Sequence, residues 1–322
     1  MKLWLGVTDT NWYRFLRERK PEDINFWQPS GHQQQFKAIG KGAPFLFKLK
    51  APYNAIGGVA FYSTQAFLPI SVAWDAFGEN NGCASFFDLK RMIDHYRNKT
   101  QKEPHENPVI GCLILTNPVF FDDREWINLP EDWNNSIMVG KVYDDEDKIG
   151  KKLWEQVQLR LEDKHFFDSS CDAPKNQLII DSDNNYSARY KENVLSRVRL
   201  GQGAFRIIIT QAYQGRCAIT GEHTLPVLEA AHIKPFSESG PNIIANGLLL
   251  RSDLHKLFDT GYITITTDYR LEVSKRLKEE FNNGKVYYAM NGQRLLVTPE
   301  LSRDKPNLEY LRWHNETIYK AG

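Results

Sequence analysis

The fold of the C-terminal half is decided by the stretch Leu228-Glu229-Ala230-Ala231-His232-Ile233-Lys234-Pro235, then Asn246-Gly247-Leu248-Leu249-Leu250, then His255. We expect a β-hairpin that delivers His232 at a strand end and a helix that brings His255 back over it. Such a ββα unit can hold one divalent cation beside one general base. A neutral imidazole accepts a proton at physiological pH, and a cation offsets charge that develops on a phosphate. The pattern therefore predicts phosphodiester hydrolysis.

Other polar residues of this region have simpler interpretations. The amide of Asn246 is suited to tying down the intervening loop or to orienting an imidazole. Asp259 precedes Thr260-Gly261 and is expected to cap that turn. His223 and His314 are expected to be structural or solvated. Helices are predicted at 206–213 and 247–258, and a strand at 262–266.

The composite pattern resembles an HNH nuclease domain of the ββα-metal superfamily. The resemblance extends over residues 201–266, with a further similarity at 311–314, and is carried by the motif residues together with flanking elements. These elements are Cys217-Ala218-Ile219-Thr220-Gly221, Phe258-Asp259-Thr260-Gly261, the lead-in Gly201-Gln202-Gly203-Ala204-Phe205-Arg206 and the closing Leu311-Arg312-Trp313-His314.

That resemblance implies roles for individual residues. It makes His232 the general base, Asn246 the loop-orienting residue and His255 a ligand of one Mg²⁺ or Mn²⁺ ion. Many relatives carry an acidic metal ligand directly before the first histidine, where this chain has Ala231. Two alternatives follow: the cation is held by His255, phosphate oxygens and waters alone, or Glu229 contributes directly or through a neighbouring ligand. Glu229 lies two residues before Ala231 on the strand and therefore on the same face.

Composition sets outer limits on the function. The chain has 322 residues, enough for two domains with separate cores, and its formal net charge is only +1. No apolar run approaches the roughly 20 residues that span a bilayer. The four cysteines are scattered without a C-x-x-C pair, so no structural zinc is expected. We therefore expect a soluble, cytoplasmic bacterial protein that does not act in a membrane.

Basic residues cluster between positions 189 and 216, where a single acid, Glu192, interrupts them. This stretch is either a solvated helix face or a surface that neutralises phosphates. The second interpretation assigns DNA phosphate contacts to Arg197, Arg199, Gln202 and Arg206.

The distribution of turn residues suggests three segments. Residues 163–190 are rich in Asp, Ser, Asn and Pro and are predicted to be a linker, with a short strand at 178–180. Residues 1–162 would form one domain and residues 191–322 the nuclease domain, with a helix at 191–198. The predicted class is α+β.

The N-terminal segment is aromatic and rich in strands. Strands are predicted at 45–49, 56–62 and 109–115, and helices at 12–19, 86–99 and 150–161. The segment resembles EVE domains of the PUA-like superfamily, which are partly open β-barrels. The resemblance is carried by Leu3-Trp4-Leu5-Gly6-Val7-Thr8, Phe45-Leu46-Phe47-Lys48, Trp74-x-x-Phe77-Gly78-x-x-Asn81-Gly82, Thr116-Asn117-Pro118 and Gly140-Lys141-Val142-Tyr143-Asp144.

Several PUA-like domains bind an extruded modified base in an aromatic pocket. Trp27, Tyr62 and Trp74 border predicted loops and are the candidate stacking residues. Stacking on such rings is worth roughly 1–3 kcal/mol per base and can offset the cost of flipping a nucleotide.

The whole chain thus resembles EVE–HNH modification-dependent, type IV-like restriction endonucleases. The resemblance implies cleavage of double-stranded DNA that carries 5-methylcytosine or 5-hydroxymethylcytosine. One extra methyl group is worth only ~1–3 kcal/mol in an apolar pocket, so a preference is expected rather than absolute dependence. A non-catalytic reader of modified nucleic acid and an RNA-directed nuclease remain alternatives. A homodimer would supply two cutting sites, although no sequence feature indicates one.

Overall fold

A computed structural model describes residues 1–30, 34–98, 105–163 and 200–321. The chain divides into two compact units, Met1–Arg199 and Leu200–Gly322. Most of the predicted linker lies outside the described residues, as do the strand predicted at 178–180 and the helix predicted at 191–198. Arg197 and Arg199 lie outside them too.

The first unit is built on a mixed sheet with helices. Its strands are β1 (Lys2–Thr8), β2 (Asp23–Gln28), β3 (Pro44–Leu49), β4 (Ala55–Pro69), β5 (Val109–Phe120), β6 (Ile127–Asn128) and β7 (Gly140–Asp144). Its helices are α1 (Thr10–Arg19), α2 (Ile70–Phe77), α3 (Phe86–Asn98) and α4 (Lys148–Asp163), with a 3₁₀ turn at Gly78–Asn81. The predicted strands and helices are therefore present, with β4 and β5 longer than predicted.

The sheet runs in the order β2-β5-β4-β3-β1-β7, and β6 pairs with β4 beside this path. β1 and β3 are parallel, whereas the other pairs are antiparallel. The long strand β4 shifts register against both neighbours, at 46/48 of β3 and at two points along β5. Such bulges bend a sheet and increase its twist.

Successive residues of the central strands pack on opposite faces. Leu46 and Phe61 belong to one buried cluster, with Leu3 and Trp154, whereas their chain neighbours belong to another. The second cluster contains Phe45, Phe47, Ala60 and Tyr62 together with Trp12 and Tyr13 of α1. This is the period of two that a pleated strand imposes, so both faces of the sheet are covered.

The second unit contains short elements. Its strands are β8 (Leu228–His232), β9 (Gly247–Arg251), β10 (Ile263–Ile265) and β11 (Leu271–Val273). Its helices are α5 (Gln202–Ala212), α6 (Ser252–Asp259), α7 (Arg276–Phe281), α8 (Lys285–Tyr288) and α9 (Leu308–Thr317). The α+β class is confirmed, and no helix among the described residues is long and apolar enough to cross a bilayer.

The helix predicted at 247–258 is wrong in its first half. Residues 247–251 form β9, which pairs antiparallel with β8, and the helix begins only at Ser252. Leu248, Leu249 and Leu250 are all fully buried. A short apolar run of this kind fits a buried strand as well as a helix, and the ladder with β8 satisfies its backbone.

Candidate active site

The β8–β9 hairpin and helix α6 bring the motif residues of the second unit together. His232 is the last residue of β8 and pairs with Gly247, the first residue of β9. His255 lies in α6, which follows β9 directly and packs against the hairpin. The order of two strands followed by a helix is the one that the sequence predicts, although the second strand occupies residues that were predicted to begin the helix.

The imidazole of His232 is held on two sides. Its Nε2 lies 2.7 Å from Oδ1 of Asn242, and the ring of Phe205 is stacked on it with centroids 4.0 Å apart. Nδ1 has no hydrogen-bond partner among the described residues. Burial lowers the pKa of His232; the hydrogen bond with Asn242 and the charge of Asp259 oppose this shift, and His255 adds to it. The ring therefore stays neutral at physiological pH and can accept a proton.

Asn246 ties together the loop between the two strands. Its Oδ1 accepts from the backbone N–H of Lys234 at 2.9 Å, and its Nδ2 donates to the carbonyls of Lys234 and Pro241, each at 2.9 Å. The residue is fully buried. Of the two functions considered for this amide, the structure shows loop-tying contacts, while the contact with the imidazole is made by Asn242.

Two carboxylates flank the second histidine. Nδ1 of His255 lies 2.6 Å from Oε2 of Glu229, and Nε2 lies 3.3 Å from Oδ2 of Asp259, one helical turn later. Partial desolvation raises the pKa of Asp259, while the charge of His255 opposes this shift. Glu229 and Asp259 are half exposed, with side chains 46% and 52% accessible, so a cation can reach them from solvent.

The Glu229–His255–Asp259 cluster has the right chemistry for a divalent ion. Carboxylate oxygens suit Mg²⁺ and Mn²⁺, and an imidazole is a common ligand of transition metals. Among the described residues, no three acidic, His or Cys side chains already surround one point as a ligand set. Because both ring nitrogens of His255 face carboxylates, a metal bound to this ring must replace one of the two contacts.

The structure also describes Ala231, which stands at the position where many relatives carry an acidic ligand, and two of the four predicted phosphate-contact residues. Ala231 is fully buried in the core of this unit, so Glu229 and Asp259 are the acids beside His255. Gln202 is exposed at the start of α5, and Arg206 is partly buried, with Nη2 3.5 Å from the carbonyl of Leu228.

Three residues that contact the histidines of this site were not predicted from the sequence. Asp259 was expected to cap a turn, yet its spacing of four from His255 on a helix is a signal for contact on one face. Asn242 and Phe205 carry no such signal. They meet His232 because the loop and α5 fold back on β8, which only tertiary packing decides.

The first unit contains a cavity of about 420 Å³, within the range of sites that hold small molecules. Aromatic rings and polar groups share its wall. The lining includes Trp12, Phe26, Trp27, Tyr96, Asp9, Lys50, Gln28 and Gln34, with Met138 and Val139.

Of the three predicted stacking residues, only Trp27 lines this cavity. Tyr62 is buried in the cluster that contains Phe45 and Phe47, and its ring makes an edge contact with that of Phe36, with centroids 5.3 Å apart. Trp74 lies on α2, with its ring 6.4 Å from that of Phe86. Trp27 packs against the same buried cluster as Tyr62, but only Trp27 of the three predicted residues reaches the cavity wall.

The position of Trp27 is fixed by the motif at 74–82. Nε1 of Trp27 donates to the backbone carbonyl of Asn81 at 3.0 Å. The buried side chain of Asn81 is itself held by Asn25, at 2.9 Å, and by the carbonyls of Ala73 and Gly78. This network gives the indole a rigid support at the cavity wall.

A polar group occupies another part of the same wall. Oδ1 of Asp9 caps helix α1, while Oδ2 lies 3.7 Å from Nζ of Lys50 and accepts from the hydroxyl of Tyr96 at 3.3 Å. Lys50 is also 3.3 Å from this hydroxyl. An aromatic surface and directional polar groups therefore face one space, as recognition of a planar polar ligand requires.

Comparison with known proteins gives a family match for the C-terminal unit and two similar solved structures. Residues 217–266 match the family model of the HNH endonucleases. No curated protein matches the sequence. ASCH from Zymomonas mobilis aligns over 48% of this chain and 94% of its own length, with 12% identity and a TM-score of 0.34.

A modification-dependent restriction endonuclease, TagI, aligns over 93% of this chain and 76% of its own length, with 14% identity and a TM-score of 0.28. TM-scores this low do not assign a function. The C-terminal unit is therefore assigned from the family match and from the geometry of its own residues. That match spans β8, β9, α6 and β10 and contains His232, Asn246 and His255. The chain is an endonuclease whose C-terminal unit carries an HNH domain.

Proposed function

We propose that this endonuclease cuts double-stranded DNA near a modified cytosine, held in the N-terminal cavity after it has been flipped out of the duplex. The catalytic half of the proposal is carried by one observation: strand β8 carries both His232 and Glu229, and Glu229 contacts His255 of α6. The reader half is supported by the aromatic and polar cavity around Trp27.

In cleavage, Nδ1 of His232 accepts the proton of the attacking water. Asn246 keeps the loop closed so that the strand end carrying His232 does not move. His255, with Glu229 and Asp259, would hold Mg²⁺ or Mn²⁺. When bound, the ion offsets the charge that develops on the phosphate and on the leaving oxygen. In the same proposal, Gln202 and Arg206 on α5 contact DNA phosphates, as do Arg197 and Arg199.

In recognition, the flipped base would stack on Trp27. Each such contact is worth roughly 1–3 kcal/mol, which is comparable to the cost of extruding one base. Asp9, Lys50 and the glutamine amides supply hydrogen-bonding groups for the base edge. One extra methyl group adds only about 1–3 kcal/mol, so we expect preference for modified DNA with residual cutting of plain DNA.

Digestion of otherwise identical duplexes tests the proposal. Duplexes with cytosine, 5-methylcytosine or 5-hydroxymethylcytosine are incubated with the full chain and Mn²⁺, with an RNA of the same sequence as competitor. We expect faster cleavage of a modified duplex. Equal rates on all three duplexes would refute the assignment of the N-terminal cavity as a binding site for the modified base. Preferential cleavage of the RNA would favour the RNA-directed alternative.

Two tryptophan variants separate reading from cutting. Trp27→Ala should remove the preference for modified DNA and leave the rate on plain DNA unchanged, whereas Trp74→Ala, outside the cavity, should preserve the preference. His232→Ala should abolish cleavage while modified DNA still binds. If His232→Ala cuts as the unchanged protein does, His232 is not the general base.

A further inference from the structure

Asn242 makes a contact with the candidate base that neither the family match nor the motif residues account for. It lies in the loop between β8 and β9, four residues before Asn246. Its Oδ1 is 2.7 Å from Nε2 of His232, and its Nδ2 donates to the backbone carbonyl of Leu200 in a short hydrogen bond. One amide thus joins Leu200, two residues before α5, to the imidazole at the end of β8.

The direction of this amide determines which ring nitrogen carries the proton. The carbonyl of Leu200 can only accept, so the NH₂ group of Asn242 must face it. The amide oxygen therefore faces Nε2 of His232. A neutral imidazole can donate to this oxygen only if its single proton is on Nε2. Nδ1, which has no hydrogen-bond partner among the described residues, is left with the lone pair.

The stacked ring of Phe205 fixes the plane of the same imidazole. The amide then fixes its rotation within that plane and its tautomer. Phe205 belongs to α5 and Leu200 lies two residues before the start of that helix, so the segment that leads into α5 supplies both restraints.

We propose that Asn242 is a positioning residue for the endonuclease reaction, which holds His232 as the Nε2–H tautomer and so presents Nδ1 to the attacking water. This proposal rests on the nuclease function of the unit and is independent of which DNA is recognised.

Two variants at position 242 separate the two ends of the amide. Asn242→Ala removes both contacts. Asn242→Asp keeps an acceptor for Nε2 and removes the donor to Leu200. If Asn242 acts through His232, we expect Asn242→Ala to lower kcat about 10–100-fold with little change in KM, and Asn242→Asp to retain most of the activity. If the amide served only to anchor Leu200, both variants would lower kcat by the same factor, because both lack the donor to the Leu200 carbonyl.

The pH profile gives a second readout. The charged groups acting on His232 are His255 and Asp259 of α6, and Glu229 contacts His255; Phe205 and Asn242 are neutral. A carboxylate at position 242 adds a negative charge beside the ring, so the acid limb of kcat should move to higher pH in Asn242→Asp. An acid limb that does not move in Asn242→Asp would show that the side chain at position 242 does not contact the base.

Nitrogen-15 NMR of histidine side chains in the metal-free protein observes the tautomer directly. The signals of His232 are assigned by their loss in His232→Ala. We expect the Nε2–H tautomer in the unchanged protein and in Asn242→Asp, and a mixture of tautomers in Asn242→Ala. Asn283→Ala, at an exposed loop position, is the control and should alter neither the spectrum nor the rate. An unchanged tautomer and rate in a folded Asn242→Ala protein would overturn the proposal.

Discussion

The side chain of His232 is partly buried, and this burial lowers its pKa below the ordinary value of 6.5. A general base must be neutral to act, so cleavage should fall on the acid side only below about pH 6.5. The measurement is kcat/KM against pH at a saturating metal concentration. The exposed His223 provides the control, since His223→Ala should leave the profile unchanged. An acid limb above pH 7 would contradict this assignment.

Asp259 and Asp253 are acids on the same helix with different partners. Asp259 faces Nε2 of His255, whereas Asp253 forms an ion pair with Arg251 and accepts from Tyr287. Asp259→Asn should therefore weaken Mn²⁺ binding about 10–100-fold, and Asp253→Asn should not. Calorimetric titration of the full chain with Mn²⁺ measures both. Equal affinities in the two variants would remove Asp259 from the metal site.

His314 is a structural histidine whose ionisation affects stability. It is 2% exposed, stacked on Phe258 at 3.7 Å, and Nε2 donates to the carbonyl of Phe258 at 3.1 Å. Burial lowers its pKa from 6.5 to about 4. Because the unfolded chain binds this proton more readily, stability is lost as the pH falls below 6.5.

The pKa difference of His314 corresponds to about 2 kcal/mol between pH 7 and pH 5. Urea unfolding of the second unit at these two pH values should show this loss, and His314→Gln should reduce it. The comparison uses the change with pH within each variant, which separates ionisation from the loss of packing. An equal pH dependence in both proteins would mean that His314 is already protonated or exposed.

At the scale of elements, the site depends on how closely α5 packs against the hairpin. A Cβ at Gly247, the first residue of β9, would lie 2.2 Å from Cδ1 of Ile209 and 3.0 Å from Cζ of Phe205. Phe205 supports the ring of His232, so displacement of α5 reaches the base.

Gly247→Ala should therefore destabilise the second unit by about 1–3 kcal/mol and also lower kcat. Thermal unfolding and cleavage rates measure the two effects. Gly40→Ala is a suitable control because a Cβ there has no neighbour within 4 Å. A Gly247→Ala protein with unchanged stability and rate would show that α5 tolerates the extra methyl group.

At the scale of the whole molecule, each unit has its own buried clusters, so each should unfold on its own. Leu113 and Leu271 are both 1% exposed on strands, one in each unit. Replacement of either by alanine should cost about 2–5 kcal/mol and should shift only the transition of its own unit. Calorimetry of the full chain resolves the two transitions. A shift of both transitions by either variant would mean that the units unfold together.

The sequence by itself determined the nuclease assignment. His232, Asn246 and His255 come with enough flanking residues to define the ββα unit, and the apolar runs at 45–49 and 56–62, bounded by Gly and Pro, predict strands. These features are local, because spacing along the chain is enough to place them on strands or helices.

Only the tertiary structure decided which side chains meet. Residues 247–251 form a strand because β8 offers backbone partners, whereas their short apolar run alone fits a helix equally well. Asn242 and Phe205 reach His232 through a loop and a helix remote in sequence, and Tyr62 is directed into the core while Trp27 lines the cavity. Contacts between distant segments depend on packing of the whole unit, and for that physical reason the sequence alone does not specify them.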